Sequence, residues 1–135
     1  LRGNDIGIFF CWGVKYGLAE GNQIEGNRVG NSIGHRDTDN LVTGNTIRGS
    51  KVNGLLFRPE RGPDFAGHRN RIEKNRFIDN APEGGVVIDI QGGTEAITIS
   101  DNQFTETRGG KARAVVKQGP ETKRIVIEGS ESKGF

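Results

Sequence analysis

A short element recurs along this 135-residue chain: an Ile or Val three residues before an Asn, and a Val, Ile or Phe two residues after it. Ile24-Asn27-Val29, Val42-Asn45-Ile47, Ile72-Asn75-Phe77 and Ile99-Asn102-Phe104 all carry it. Ile127-Ser130-Ser132 is a decayed copy, and Asn4-Asp5-Ile6 has the form of a tail whose beginning is missing. From Asn4 onward, successive Asn positions lie 23, 18, 30 and 27 residues apart, with the decayed copy 28 further on. A spacing in the twenties, stretched by insertions, describes a solenoid. One repeat cannot bury its apolar side alone, so each makes one turn and neighbours cover it.

The turns are built of strands. In A-I-T-I-S-D-N-Q-F (Ala96 to Phe104) the apolar residues sit two apart or straddle a polar bend. That is strand alternation, not the i, i+3, i+4 spacing of a helix. The 22 Gly and the Asn at most bends agree. Asn tolerates left-handed backbone, so Asn27, Asn45, Asn75 and Asn102 are expected to turn the chain there and to stack at one corner. Stacked side-chain amides can hydrogen-bond along the column. A structural role follows for these Asn, not a catalytic one.

A further strand precedes each copy: Gly7 to Cys11, Ser32 to Arg36, Gly54 to Arg58, Gly85 to Asp89 and Arg113 to Lys117. Three short strands per coil and the I-x-x-N-x-[VIF] element together resemble the right-handed parallel β-helix family, the fold of pectate lyases and many polysaccharide-active proteins. The resemblance covers nearly the whole chain. It implies an all-β solenoid of about five coils, an acidic polysaccharide as partner, and an extracellular, cell-surface or periplasmic location. Calcium as a cofactor is implied by the family alone. One superfold hosts many activities, so function must be argued from a site.

Composition narrows the classes. Nineteen basic and 17 acidic residues give a formal net charge of +2 with no basic block, which speaks against nucleic acid. No apolar run is long enough to span a membrane. One cysteine, Cys11, allows no disulfide within the chain. The chain holds no Met, opens inside a repeat and shows no capping helix. A single β-helix segment, residues 1–135, cut from a longer protein is therefore expected, with end-to-end association or further parent coils covering its strand edges.

Alternation in the preceding strand places Ile8, Ile33, Leu55, Val86 and Ala114 inward, with Phe10, His35, Phe57, Ile88 and Val116. The outward column is then Cys11, Arg36, Arg58, Asp89 and Lys117, beside Phe9, Gly34, Leu56, Val87 and Val115. Such a ladder of charges could bind an extended acidic polymer, Arg being suited to carboxylates. Otherwise it only keeps a sheet face solvated. The two longest insertions flank the same face: Trp12 to Gly21, with the only Trp and Tyr (Trp12, Tyr16), and Pro59 to Arg69, with Glu60, Arg61 and Asp64. Loops on a rigid scaffold are where binding residues gather.

His35 is expected inward as a hydrogen-bonded core residue, or outward beside Arg58 if the turn shifts the register by one. Asp37 and Asp39, two apart, could share a Ca²⁺. Two carboxylates fall short of its six to eight oxygens, so turn chemistry is the plainer role. The family's lyases take the proton α to a uronate carboxylate with a basic residue, a role the resemblance offers to Arg58 or Lys117, with His35 as an acid–base alternative. Arg36 and Arg61 would then hold carboxylates. Arg58-Pro59-Glu60-Arg61 has the flavour of the family's strand-end motif with shorter spacing. Gly34-His35-Arg36 lacks the Asp trio of polygalacturonases. The expected function is binding, with lyase or epimerase processing if chemistry is present. The alternative is a non-catalytic stalk or adhesive segment. Ice binding would need regular Thr columns, which do not recur.

Overall fold

The computed structural model describes residues 1–109, 111 and 113–135. Strands follow one another in five coils of three. The first coil holds β1 (Ile6–Phe9), β2 (Leu18–Glu20) and β3 (Gln23–Glu25), and the second β4 (Val29–Ile33), β5 (Leu41–Thr43) and β6 (Thr46–Arg48). The third holds β7 (Asn53–Phe57), β8 (Arg71–Glu73) and β9 (Arg76–Ile78), and the fourth β10 (Val86–Ile90), β11 (Thr98–Ser100) and β12 (Gln103–Thr105). The fifth is β13 (Ala114–Gln118), β14 (Val126–Glu128) and β15 (Glu131–Lys133). Equivalent strands of successive coils pair in parallel, giving three five-stranded sheets. The one helical turn among the described residues is a 3-10 segment, Pro63–Phe65. No helix is long and apolar enough to cross a membrane.

Three corners separate the sheets, and each carries an amide column. Between the second and third sheets, the N–H and side-chain amide of Asn22 donate to Asn45 Oδ1 at 2.8 and 2.9 Å. Asn45 does the same to Asn75, and Asn75 to Asn102, which passes its N–H to Ser130 Oγ. Asn27 is not in this column. It stands one corner later, where Asn4 N–H donates to Asn27 Oδ1 and Ser50 N–H to Asn80 Oδ1. The corner between the first and second sheets has Gly17 N–H on Asn40 and Asn40 N–H on Asn70. The first repeat copy is thus out of phase: Ala19, Asn22 and Ile24 are the counterparts of Val42, Asn45 and Ile47. Both corners spell apolar-x-x-Asn-x-apolar, so spelling alone does not separate them. The in-column separations are 23, 30, 27 and 28 residues, without the anomalous 18.

The Asn do not themselves take the left-handed conformation. The residue before each one does: Gly21, Gly44, Lys74 (φ 58) and Asp101 (φ 56) at the tight corner, and Asp39 (φ 61) and Arg69 (φ 55) at the first corner, where Tyr16 (φ 56) precedes Gly17 in the same way. The Asn side chain is thereby turned inward to bond the next coil, while its predecessor projects outward.

Within the corners the apolar residues stack by column. Ala19, Val42, Ile72 and Ile99 form one, and Ile24, Ile47, Phe77 and Phe104 another, with the Phe77 and Phe104 rings stacked at 5.0 Å. Each fully buried side chain of this size contributes about 1.5–3 kcal/mol, so a low apolar content suffices.

The first sheet keeps the predicted faces only in part and has a different register: Ala114, expected inward, is exposed, and Val115, expected outward, packs against the core. Leu55 pairs with Asn31 and Ile88, not with Ile33 and Val86, so those coils are displaced by two residues. A slip of two leaves the alternation pattern itself unchanged, which is why alternation does not detect it. The charge column is consequently broken. Asp89 and Lys117 stack with Phe9, Ser32 and Leu56, whereas Arg58 lies two places beyond Leu56. Val87, expected outward, is buried in the core.

Candidate functional site: an aromatic and basic corner

The insertions meet at the corner between the first and second sheets. Gly13 N–H donates to His35 O at 3.0 Å, and Arg36 N–H to Phe65 O at 2.9 Å, so three coils are joined there by backbone. On this frame Trp12 lies over His35 with ring centroids 4.4 Å apart, and His35 faces Phe65 at 6.1 Å. The Arg36 and Arg61 guanidiniums sit 4.3 and 4.7 Å from the Phe65 ring centre. With Gly13 and Lys15 these side chains line a recess of about 380 Å³. Trp12 is 82% exposed and Tyr16, on the outward-projecting corner position, 83%.

His35 is a correction to the inward expectation. Its φ of 44 turns the chain out of the strand, so the ring faces the recess. Its N–H is held by Glu60 Oε1 at 2.9 Å, and its Nδ1 stands 3.9 Å from Glu60 Oε2. Arg36 also leaves the strand path (φ 64), so it joins no ladder with Arg58.

Arg58 is a clamp. Nε donates to Glu60 at 3.1 Å, Nη1 to Ser32 Oγ at 2.7 Å and Nη2 to Phe10 O at 2.9 Å, while its Cζ lies 4.8 Å from the Phe9 ring centre. It ties coils one, two and three, and all three nitrogens are occupied by structural partners. Gly34 permits this, since a Cβ there would meet the Arg58 guanidinium at 3.0 Å and press on Glu60. A proton-abstracting role for Arg58 does not fit these bonds. Lys117 is exposed two coils away on the first sheet, level with Asp89, and Asp89 accepts a bond from Gln91 at 2.8 Å.

Asp37 and Asp39 do not converge. The Asp37 carboxylate is buried, accepting Val14 N–H at 2.9 Å and Gly34 N–H at 3.1 Å, with Arg58 Nη2 at 3.5 Å. Burial pushes its pKa up, against the pull of those donors and Arg58. Asp39 pairs outward with Arg69 at 3.0 and 3.2 Å, and that guanidinium holds its pKa below the usual range. The pair does not fit a calcium ion. Among the described residues no cluster of three or more His, Cys, Asp or Glu could hold a metal.

The family described as a right-handed beta helix region matches residues 2–124. The chain belongs to it. No curated relative and no solved structure matches closely enough to carry an argument. In this β-helix the sequence brought Trp12, His35, Arg36 and Arg61 into view, and the fold brings them together. It leaves out Asp89 and Lys117 and turns Arg58 to structural use. Lys15 and Phe65 were missed. Phe65 had a signal, a lone aromatic in the polar loop P-D-F-A-G, whose ring the two Arg now flank.

Proposed function

We propose that this corner recess binds an acidic saccharide. The observation that carries the reading is Trp12, exposed yet fixed on His35, beside three cations with no ion pair among the described residues: Lys15, Arg36 and Arg61. An aromatic face takes the apolar side of a sugar ring, and guanidiniums suit carboxylates in fork geometry. Trp12, His35, Arg36 and Glu60 all hold left-handed backbone that the repeat corner does not require. Strain of that kind, of order 1–3 kcal/mol per residue, tends to gather at binding sites. Binding is favoured over processing, because Arg58 is spent on structure and Lys117 lies elsewhere. Any uronate elimination would fall to His35, beside Glu60.

Trp12 is the only tryptophan, so its fluorescence reports the recess directly. Titration with polygalacturonate, alginate and glycosaminoglycans at low salt should change that signal. Affinity should fall as salt shortens the screening length to about 8–10 Å. Arg36→Gln with Arg61→Gln should abolish binding without altering the circular dichroism. An ultraviolet-absorbing unsaturated product lost in His35→Ala would add catalysis. If none of these polymers binds, the structural or adhesive reading takes its place.

A further inference from the structure

The recess does not end at Phe65. A second hollow of about 380 Å³ shares Lys15 and Arg36 with it and reaches Glu95. A third, of about 280 Å³, shares Pro63 and Glu95 with the second and ends on Glu121 and Lys123. Each alone is near the small end of the roughly 300–1,000 Å³ typical of ligand pockets. Parallel bridges pair Lys15 with Thr38 and Glu95 with Lys123, so these residues follow one another along the solenoid axis. From coil one to coil five the groove spans four strand spacings, roughly 19 Å at about 4.8 Å each. That rise per coil is close to the rise of one unit in an extended pyranose chain.

The charge changes along it. Lys15, Arg36 and Arg61 leave the first end basic. Arg69 is neutralised by Asp39, Glu95 pairs with Arg124 at 2.8 Å, and Glu121 offsets Lys123. With Asp64 also lining the second hollow, the far end carries no surplus cation to hold a second carboxylate, whereas hydroxyl groups could bond to its acids and to Lys123.

We infer that the groove takes a linear glycan of three or more units along the axis, its acidic unit at the coil-one end and uncharged units toward coil five. The inference rests on the acidic-saccharide reading and specifies its substrate class as a mixed chain instead of a homopolyuronate. Calorimetry with a glucuronic acid-terminated xylotriose, the matching uronic acid–xylose disaccharide and tetragalacturonate tests it. The mixed tetrasaccharide should bind about tenfold more tightly than the other two. Glu121→Ala with Lys123→Ala should reduce it to the disaccharide's affinity and leave the disaccharide unchanged. A tetrasaccharide no tighter than the disaccharide, or tetragalacturonate equally tight, overturns the extended groove while sparing the recess. A disaccharide that fails to bind, or binds equally well to Trp12→Ala, removes the acidic-saccharide reading itself.

Discussion

The side-chain oxygen of Asn75 accepts two bonds from Asn45, one from its backbone N–H and one from its amide, each at 3.0 Å. Asn75 in turn donates to Val42 O at 2.9 Å and to Asn102 Oδ1 at 3.1 Å. One side chain thus satisfies buried groups on two neighbouring coils. Asn75→Ala should leave several unpartnered and cost roughly 2–4 kcal/mol, given about 1–3 for each stranded buried group. Urea denaturation should show this loss. A change below half a kcal/mol would mean the column does not hold the coils together.

Asn31 tests the opposite case. It occupies an inward place between Ile8 and Leu55, with both amide atoms buried and unbonded. Asn31→Leu should stabilise the fold by about 1–2 kcal/mol, because the desolvated amide goes and the shape is kept. Thermal melting should therefore move up, and a lower midpoint would show that the position needs its polar group.

Arg58→Lys separates structure from chemistry. An ammonium cannot reproduce the fork that reaches Glu60, Ser32 and Phe10 O together. The variant should lose about 2–4 kcal/mol of stability, and amide exchange should speed up around residues 34–37. Unchanged stability with altered activity would instead return Arg58 to a catalytic role.

The pH dependence divides by sign. Glu106 is buried beneath Arg108, which donates to both its oxygens at 2.8 Å and holds its pKa below the usual 4.5. A depressed folded pKa gives stability that is complete above the unfolded value and is lost as pH falls through the lower, folded one. Asp37, raised by burial, works the other way: its cost is present above its folded pKa and relieved on protonation. Urea melts between neutrality and pH 3 should show stability falling in acid for the native chain. Glu106→Gln should flatten that limb, and Asp37→Asn should steepen it while costing stability at neutral pH, since one of its two N–H donors would face an amide NH₂.

The solenoid is legible in the sequence. Alternation, Asn at the bends and spacing in the twenties admit few other folds, because each coil must bury the same row against its neighbours. The sequence also named most of the corner's chemistry, Trp12, His35, Arg36 and Arg61. Alignment between coils is set by long-range pairing. Asn27 and Asn45 share a spelling but not a corner, and a two-residue slip in the first sheet leaves the alternation unchanged while moving Arg58 away from Asp89 and Lys117. Periodicity reports the face of a residue and is blind to its height along the axis. Height is fixed by backbone pairing and by where insertions leave the coil. The left-handed φ of His35 and Arg36, and the return of Phe65 beneath both Arg, depend on contacts between coils that no local pattern records.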